Sequence, residues 1–158
     1  MEGFGRISAL VVVGSGLLVA ATRADDGAIP LSQVPKAVLA TFKARFPDAV
    51  VKAAYKEVEE GKTTYEIESL RKGLSIDAVL TPNGQFVSIS KEIALGKVPA
   101  AVVAAVRAKY PKSQIEEASE ETEDGETYLE LIVKKANGKK VTISIDDDGT
   151  NLEEEPAP

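Results

Sequence analysis

The chain has 158 residues, no cysteine, no histidine, and 25 acidic against 19 basic side chains, for a net charge of −6. The missing residue types exclude disulfide staples, Ser-His-Asp and Cys-His nucleophiles and the usual zinc sites, and an acidic surface repels the phosphate backbone of nucleic acids. Stability must therefore come from a packed core, in one ordinary domain or two small ones.

The first element is a leader. Arg6 gives a short basic start, Ile7 to Ala21 is apolar apart from Ser8, Gly14, Ser15 and Gly16, and small residues precede a cut after Ala24. That layout is a secretory signal peptide over residues 1–24. A retained membrane anchor is the alternative, but this apolar run is shorter than the roughly 20 residues a bilayer-spanning helix needs. Export places the protein in the periplasm or outside the cell, with no membrane attachment after cleavage. Cleavage removes Arg6 and Arg23 of the 19 basic residues and Glu2 of the 25 acidic ones, so the net charge becomes −7. Residues 25–30 and the acidic, proline-containing residues 154–158 read as tails.

Between the tails the chain repeats itself. Residues 34–47, VPKAVLATFKARFP, match residues 98–111, VPAAVVAAVRAKYP, at an offset of 64 that continues through Glu57/Glu121, Gly61/Gly125, Thr63/Thr127 and Glu66/Glu130. The offset then becomes 65, aligning Gly73 with Gly138 and Gly84 with Gly149, as one residue inserted in a loop would produce. The units span residues 31–93 and 94–153.

Each unit opens with a helix. Val34, Ala37, Val38, Thr41, Phe42 and Phe46 form one stripe at helical spacing, and Val98, Ala101, Val102, Ala105, Val106 and Tyr110 repeat it. Pro35 and Pro99 suit a first turn, whereas Pro47 and Pro111 cannot continue a helix. A less regular strand follows (50–58 and 114–122), compatible with a bulge. Alternation is then clear, with Tyr65, Ile67, Leu74, Ile76, Ala78 and Leu80 on one face in the first unit. Leu129, Leu131, Val133, Val141, Ile143 and Ile145 do the same in the second. Pro82-Asn83-Gly84 and Asp147-Asp148-Gly149 mark hairpins. The expected fold class is α+β, two tandem helix-plus-antiparallel-meander repeats with the helices on one face of the sheet. A unit of ~60 residues buries only about 60% of its chain surface, so the two should share a sheet or dock.

The run Val-Pro-x-x-Val…Phe/Tyr-Pro, strand, Glu/Asp-Gly, Tyr-x-Ile/Leu, Gly, strand, Asp/Asn-Gly resembles the PepSY-like family, which has a β-lactamase-inhibitor-protein-like fold. The resemblance covers about residues 31–153 and rests on structural residues. It implies an exported bacterial protein that acts by binding, in a family whose relatives include inhibitors or regulators of proteases and β-lactamases. It carries over no catalytic residue and no inhibitory loop.

Two features point to binding. Asp146-Asp147-Asp148-Gly149 with Glu155 partly echoes a calcium loop, but Ser144 stands where the first Asp belongs and strands flank it, which favours a plain hairpin turn. The outward sheet face should carry Thr64, Glu66, Glu68, Asp77, Val79, Phe86, Tyr128, Glu130, Ile132, Lys134 and Thr142. One reading is an ordinary wet face whose charges keep sheets apart. The other is a recognition surface, with Glu66, Glu68, Val79, Phe86, Tyr128, Glu130, Ile132 and Thr142 as its residues, because apolar anchors rimmed by charge are what interfaces use. The expected function is a non-catalytic module, needing no cofactor or metal, that binds another exported protein through this face as an inhibitor or regulator. The alternative is a periplasmic small-ligand or cation (calcium) binding protein using Glu59, Glu60, Glu123 and Asp124.

Overall fold

A computed structural model describes residues 27–156; the expected signal peptide lies outside the described residues. Helix α1 (Lys36–Arg45) leads into strands β1 (Val50–Glu59), β2 (Lys62–Arg71), β3 (Leu74–Leu80) and β4 (Phe86–Glu92). Helix α2 (Ala100–Lys109) then leads into β5 (Gln114–Glu123), β6 (Glu126–Lys134), β7 (Lys140–Ile145) and β8 (Glu153–Pro156). The eight strands form one sheet in sequence order, antiparallel throughout. The units share it through β4 and β5, paired from Ser88↔Glu123 to Glu92↔Ser119. Joining two half-sheets here hides an edge that each unit would otherwise expose.

The helices are set by their punctuation. Pro35 and Pro99 are the N-caps, and each helix closes on an aromatic residue at φ −128°, Phe46 or Tyr110, held out of helical geometry by the proline that follows. The buried stripe is narrower than the spacing alone suggests: Val34, Val38, Phe42 and Phe46 pack on Ile67, Ala78 and Leu80, while Ala37 stays exposed. The second core matches, with Val98, Val102 and Val106 against Leu131, Val133 and Ile143.

Glycine earns its place where a turn meets a helix. The 81–85 and 146–150 turns each close a five-residue ring, with Thr81 N–H donating to Gln85 O and Asp146 N–H to Thr150 O, both to the carbonyl oxygen. Gly84 and Gly149 sit in these turns at φ +85° and +83°. A Cβ on Gly84 would lie 2.8 Å from the Ala37 carbonyl oxygen, and one on Gly149 2.8 Å from that of Ala101. Both turns thus lie on the first turn of their helix. The β2–β3 turn places Lys72 and Gly73 at positive φ, whereas the matching β6–β7 turn closes Lys135 N–H onto Lys139 O around Gly138. That longer loop holds the residue that changes the offset.

Over their described residues, 27–30 and 154–156, both expected tails are corrected. Ala28 bridges to Tyr55, and Ile29 N–H donates to Ala54 O at 2.8 Å, so the chain before α1 caps part of the β1 edge. Glu153–Pro156 pairs with β7 from Ser144↔Glu153 to Val141↔Pro156. An edge strand tolerates glutamates and a terminal proline because its outer side pairs with nothing. Glu154 also takes an ion pair from Lys135 at 2.8 Å and a hydrogen bond from Tyr110 Oη.

Candidate functional site

Strand alternation sends every core residue of β2, β3, β6 and β7 toward the helices and the residues between them to the reverse face. Among the described residues neither helix covers that reverse face, yet its centre is buried. Val79, Glu130 and Ile132 are each 6% exposed, and Tyr55, Ser75, Ser119 and Thr142 are buried with them. The expectation of a wet face is thereby corrected. Register shifts occur at Val51/Ala53 in β1, at Ile115/Glu117 in β5 and between β3 and β4, where bulges raise local twist. Side chains buried on a face that no described helix covers are buried by their neighbours on it, so the acidic centre lies recessed among them.

Its middle row runs in register from Glu68 through Asp77, Ser90 and Glu121 to Tyr128, one residue from each of β2 to β6. The next row holds Ser75, Glu92, Ser119, Glu130 and Ser144. Serines on β4 and β5 thus leave room between carboxylates. Ser90 Oγ and Ser119 Oγ donate to Glu121 Oε1 at 2.7 and 2.6 Å, and the Ser75 N–H donates to Glu92 Oε2 at 3.0 Å. No side chain among the described residues donates to Glu130 or Asp77.

That arrangement makes ionisation costly. Burial first, then the charges of Glu68 and Glu66, push Asp77 from 3.8 up to about 7. Burial, then Glu121 and Glu155, push Glu130 from 4.5 up to about 7. Glu121 is also raised by burial, against the two serine hydroxyls that hold it down. Tyr128 is pushed up to about 12 by burial and by Glu121. Near neutrality Asp77 and Glu130 are thus half-ionised acids close to Glu121. At one end of this face Lys134 and Lys140 both pair with Glu116.

Of the residues expected on this face, Glu66, Glu68, Val79, Tyr128, Glu130, Ile132 and Thr142 share it. Phe86 does not. Val79 pairs with Ser88 but Leu80 pairs with Phe86, so the extra residue Val87 turns Phe86 to the helix side. There its ring meets Phe46 edge-on at 6.3 Å. Sequence reasoning missed Ser90, Glu92, Ser119 and Glu121 as residues of the face. Strand parity alone would have placed Ser119 and Glu121 opposite Ala118.

The acidic turn after β7 is internally occupied. Asp148 Oδ1 accepts from the Thr150 N–H and hydroxyl at 2.9 and 2.6 Å, and Asp146 Oδ2 accepts from Asn151 Nδ2 at 2.7 Å. These are turn-closing bonds. Among the described residues no group of three or more acidic side chains could hold a metal ion. No helix among them is long and apolar enough to cross a membrane.

A family model described as "Putative beta-lactamase-inhibitor-like, PepSY-like" matches residues 21–88 and 76–150, one match for each repeat. No curated protein matches the chain. Among solved structures, a protein from Bacteroides eggerthii described as "putative periplasmic" is similar at TM-score 0.64 and 20% identity, over 77% of this chain and 88% of its own. A DUF2874 family protein from Bacteroides uniformis gives 0.62 and 20%, over 77% and 88%. A BLIP-like protein from Bacteroides fragilis gives 0.61 and 19%, over 85% and 93%. At these identities the likeness speaks for the fold.

Proposed function

This chain belongs to the PepSY-like, β-lactamase-inhibitor-like family, and from that premise we propose that it is a periplasmic, non-catalytic module that docks a basic surface of another exported protein in its acidic recess. The observation that carries this reading is the gathering of acids on a face no described helix covers: Glu130, 6% exposed there, is pushed up to about 7 by burial and by the charges of Glu121 and Glu155. Crowding like charges on a half-buried face is costly to the fold alone, and a partner's lysine or arginine would offset that repulsion. Val79, Ile132 and Tyr128 give apolar contact beside it, as interface anchors do. The family's character supports inhibition or regulation of an exported enzyme as the outcome of docking. The periplasmic description of the Bacteroides eggerthii relative supports the compartment, as does the leader-like N-terminus.

The test is capture of partners from an exported-protein fraction by the immobilised protein and by a Glu68→Lys/Glu123→Lys variant. Both residues are only partly buried on this face, so the variant should melt like the native chain. Capture of a basic protein that the variant and high salt both abolish supports the reading. Equal capture by the variant refutes it.

A further inference from the structure

A groove of about 580 Å³ opens between α2 and the start of β5, lined by Leu95, Val103, Val106, Arg107, Ser113 and Ile115 among others. We propose that this groove, a site separate from the acidic recess, binds an aliphatic carboxylate, with the chain on Val103, Val106 and Ile115 and the carboxylate on Arg107.

The first support is a comparison within the molecule. At the offset of 64, the first unit has Leu39, Phe42 and Ala49 where the second has Val103, Val106 and Ser113. Phe42 is fully buried in its core, as the smaller Val106 is in its own. The second unit keeps the same helix and strand but removes that side-chain volume and adds a hydroxyl beside it. Loss of volume in an otherwise equal scaffold leaves space along the helix.

Polar groups give the second support. Ser113 Oγ is the side-chain polar atom among the described residues that is buried without a partner, a state that costs free energy until a water or ligand atom satisfies it. Arg107 lies on the exposed side of α2 at the groove and makes no ion pair with a described residue. Its guanidinium suits a carboxylate, which it can meet with two parallel hydrogen bonds. Glu116, also at the groove, does not oppose an anion strongly, because Lys140 Nζ at 2.6 Å and Lys134 Nζ at 3.7 Å pair with it. A mostly apolar groove with a few convergent polar groups is the usual form of a small-molecule site, and its size lies within the common range.

The experiment is an NMR titration of the isotope-labelled protein with octanoate, octanol and acetyl-alanyl-leucine. Octanoate should move the Val103, Ser113 and Ile115 amides and saturate, while octanol should bind about tenfold more weakly for want of the charged hydrogen bond. Arg107→Gln, a surface change that leaves the core alone, should weaken octanoate by about tenfold, and Val103→Leu should weaken it by narrowing the groove. Saturation by the dipeptide and not by octanoate keeps the site and identifies a chain end as the source of the carboxylate. The proposal is overturned if octanol binds as well as octanoate, if Arg107→Gln binds octanoate as the native chain does, or if neither acid saturates.

Discussion

Raising the pH from about 5 to about 8 should destabilise this fold, because the recess holds protons that the unfolded chain gives up. Asp77 keeps its proton to about 7 against an ordinary 3.8, and Glu130 to about 7 against 4.5. At about 1.36 kcal/mol per pKa unit, ionising Asp77 in the fold costs about 4 kcal/mol and Glu130 about 3 kcal/mol. Both groups lie near Glu121 and water reaches Asp77, so the two costs overlap, and on the order of 3 kcal/mol in total is the working figure. The sign follows from proton binding. Between about pH 4 and 7 the folded state binds these protons and the unfolded state does not, so their contribution is full below about pH 4 and is lost as pH rises through 7. Glu116, Glu154 and Asp148 are shifted downward instead, and their effect falls below pH 5, outside the window.

Thermal and urea unfolding followed by circular dichroism at several pH values across that window is the assay. For a domain of this size the change corresponds to a melting temperature about 10 °C lower at the alkaline end. Asp77→Asn with Glu130→Gln should flatten the profile and raise stability at the alkaline end. A melting temperature that is level or rises with pH, or a double variant with the native slope, would refute the reasoning.

Other outcomes follow from the same structure. Gly84→Ala and Gly149→Ala should each cost about 2 kcal/mol, from positive φ and the clash with a helix carbonyl; Gly61→Ala, at φ +79° with open space around it, should cost less by urea unfolding. Phe42→Ala should cost about 3–5 kcal/mol, since that ring is fully buried between α1 and the sheet. Removing residues 153–158 should speed amide exchange over Val141–Ser144, which pair with β8, and promote association through the newly opened edge. Affinity for a basic partner should fall as pH drops from about 8 to 5, opposite to stability, because protonated Asp77 and Glu130 attract it less; a calorimetric titration at both pH values reads this directly.

Much of this architecture was legible in the amino-acid order. Paired prolines and the helical stripe marked α1 and α2, period-two alternation marked the strands, and the change of offset located an added turn residue between β6 and β7. Local rules suffice for these features. Phe86 failed because a single bulged residue, Val87, reverses parity for one strand end, and no side-chain pattern in PNGQFVS announces it. Residues 154–156 were misread because composition argues against packing, while pairing of β8 depends on an available β7 edge. Burial of Glu130 and Asp77 was beyond local reading altogether. It depends on the neighbours that strand pairing sets beside each carboxyl, which the pattern of a single strand does not show.

The central claim is that the acidic face is where a partner sits. An NMR titration of the labelled protein with a partner captured by the native chain and not by the Glu68→Lys/Glu123→Lys variant tests it most directly. Shifts concentrated at Val79, Ser90, Glu121, Tyr128 and Ile132, with α1 and α2 unmoved, are the predicted result. Shifts confined to the helices, with the acidic face unchanged at saturation, would contradict the account.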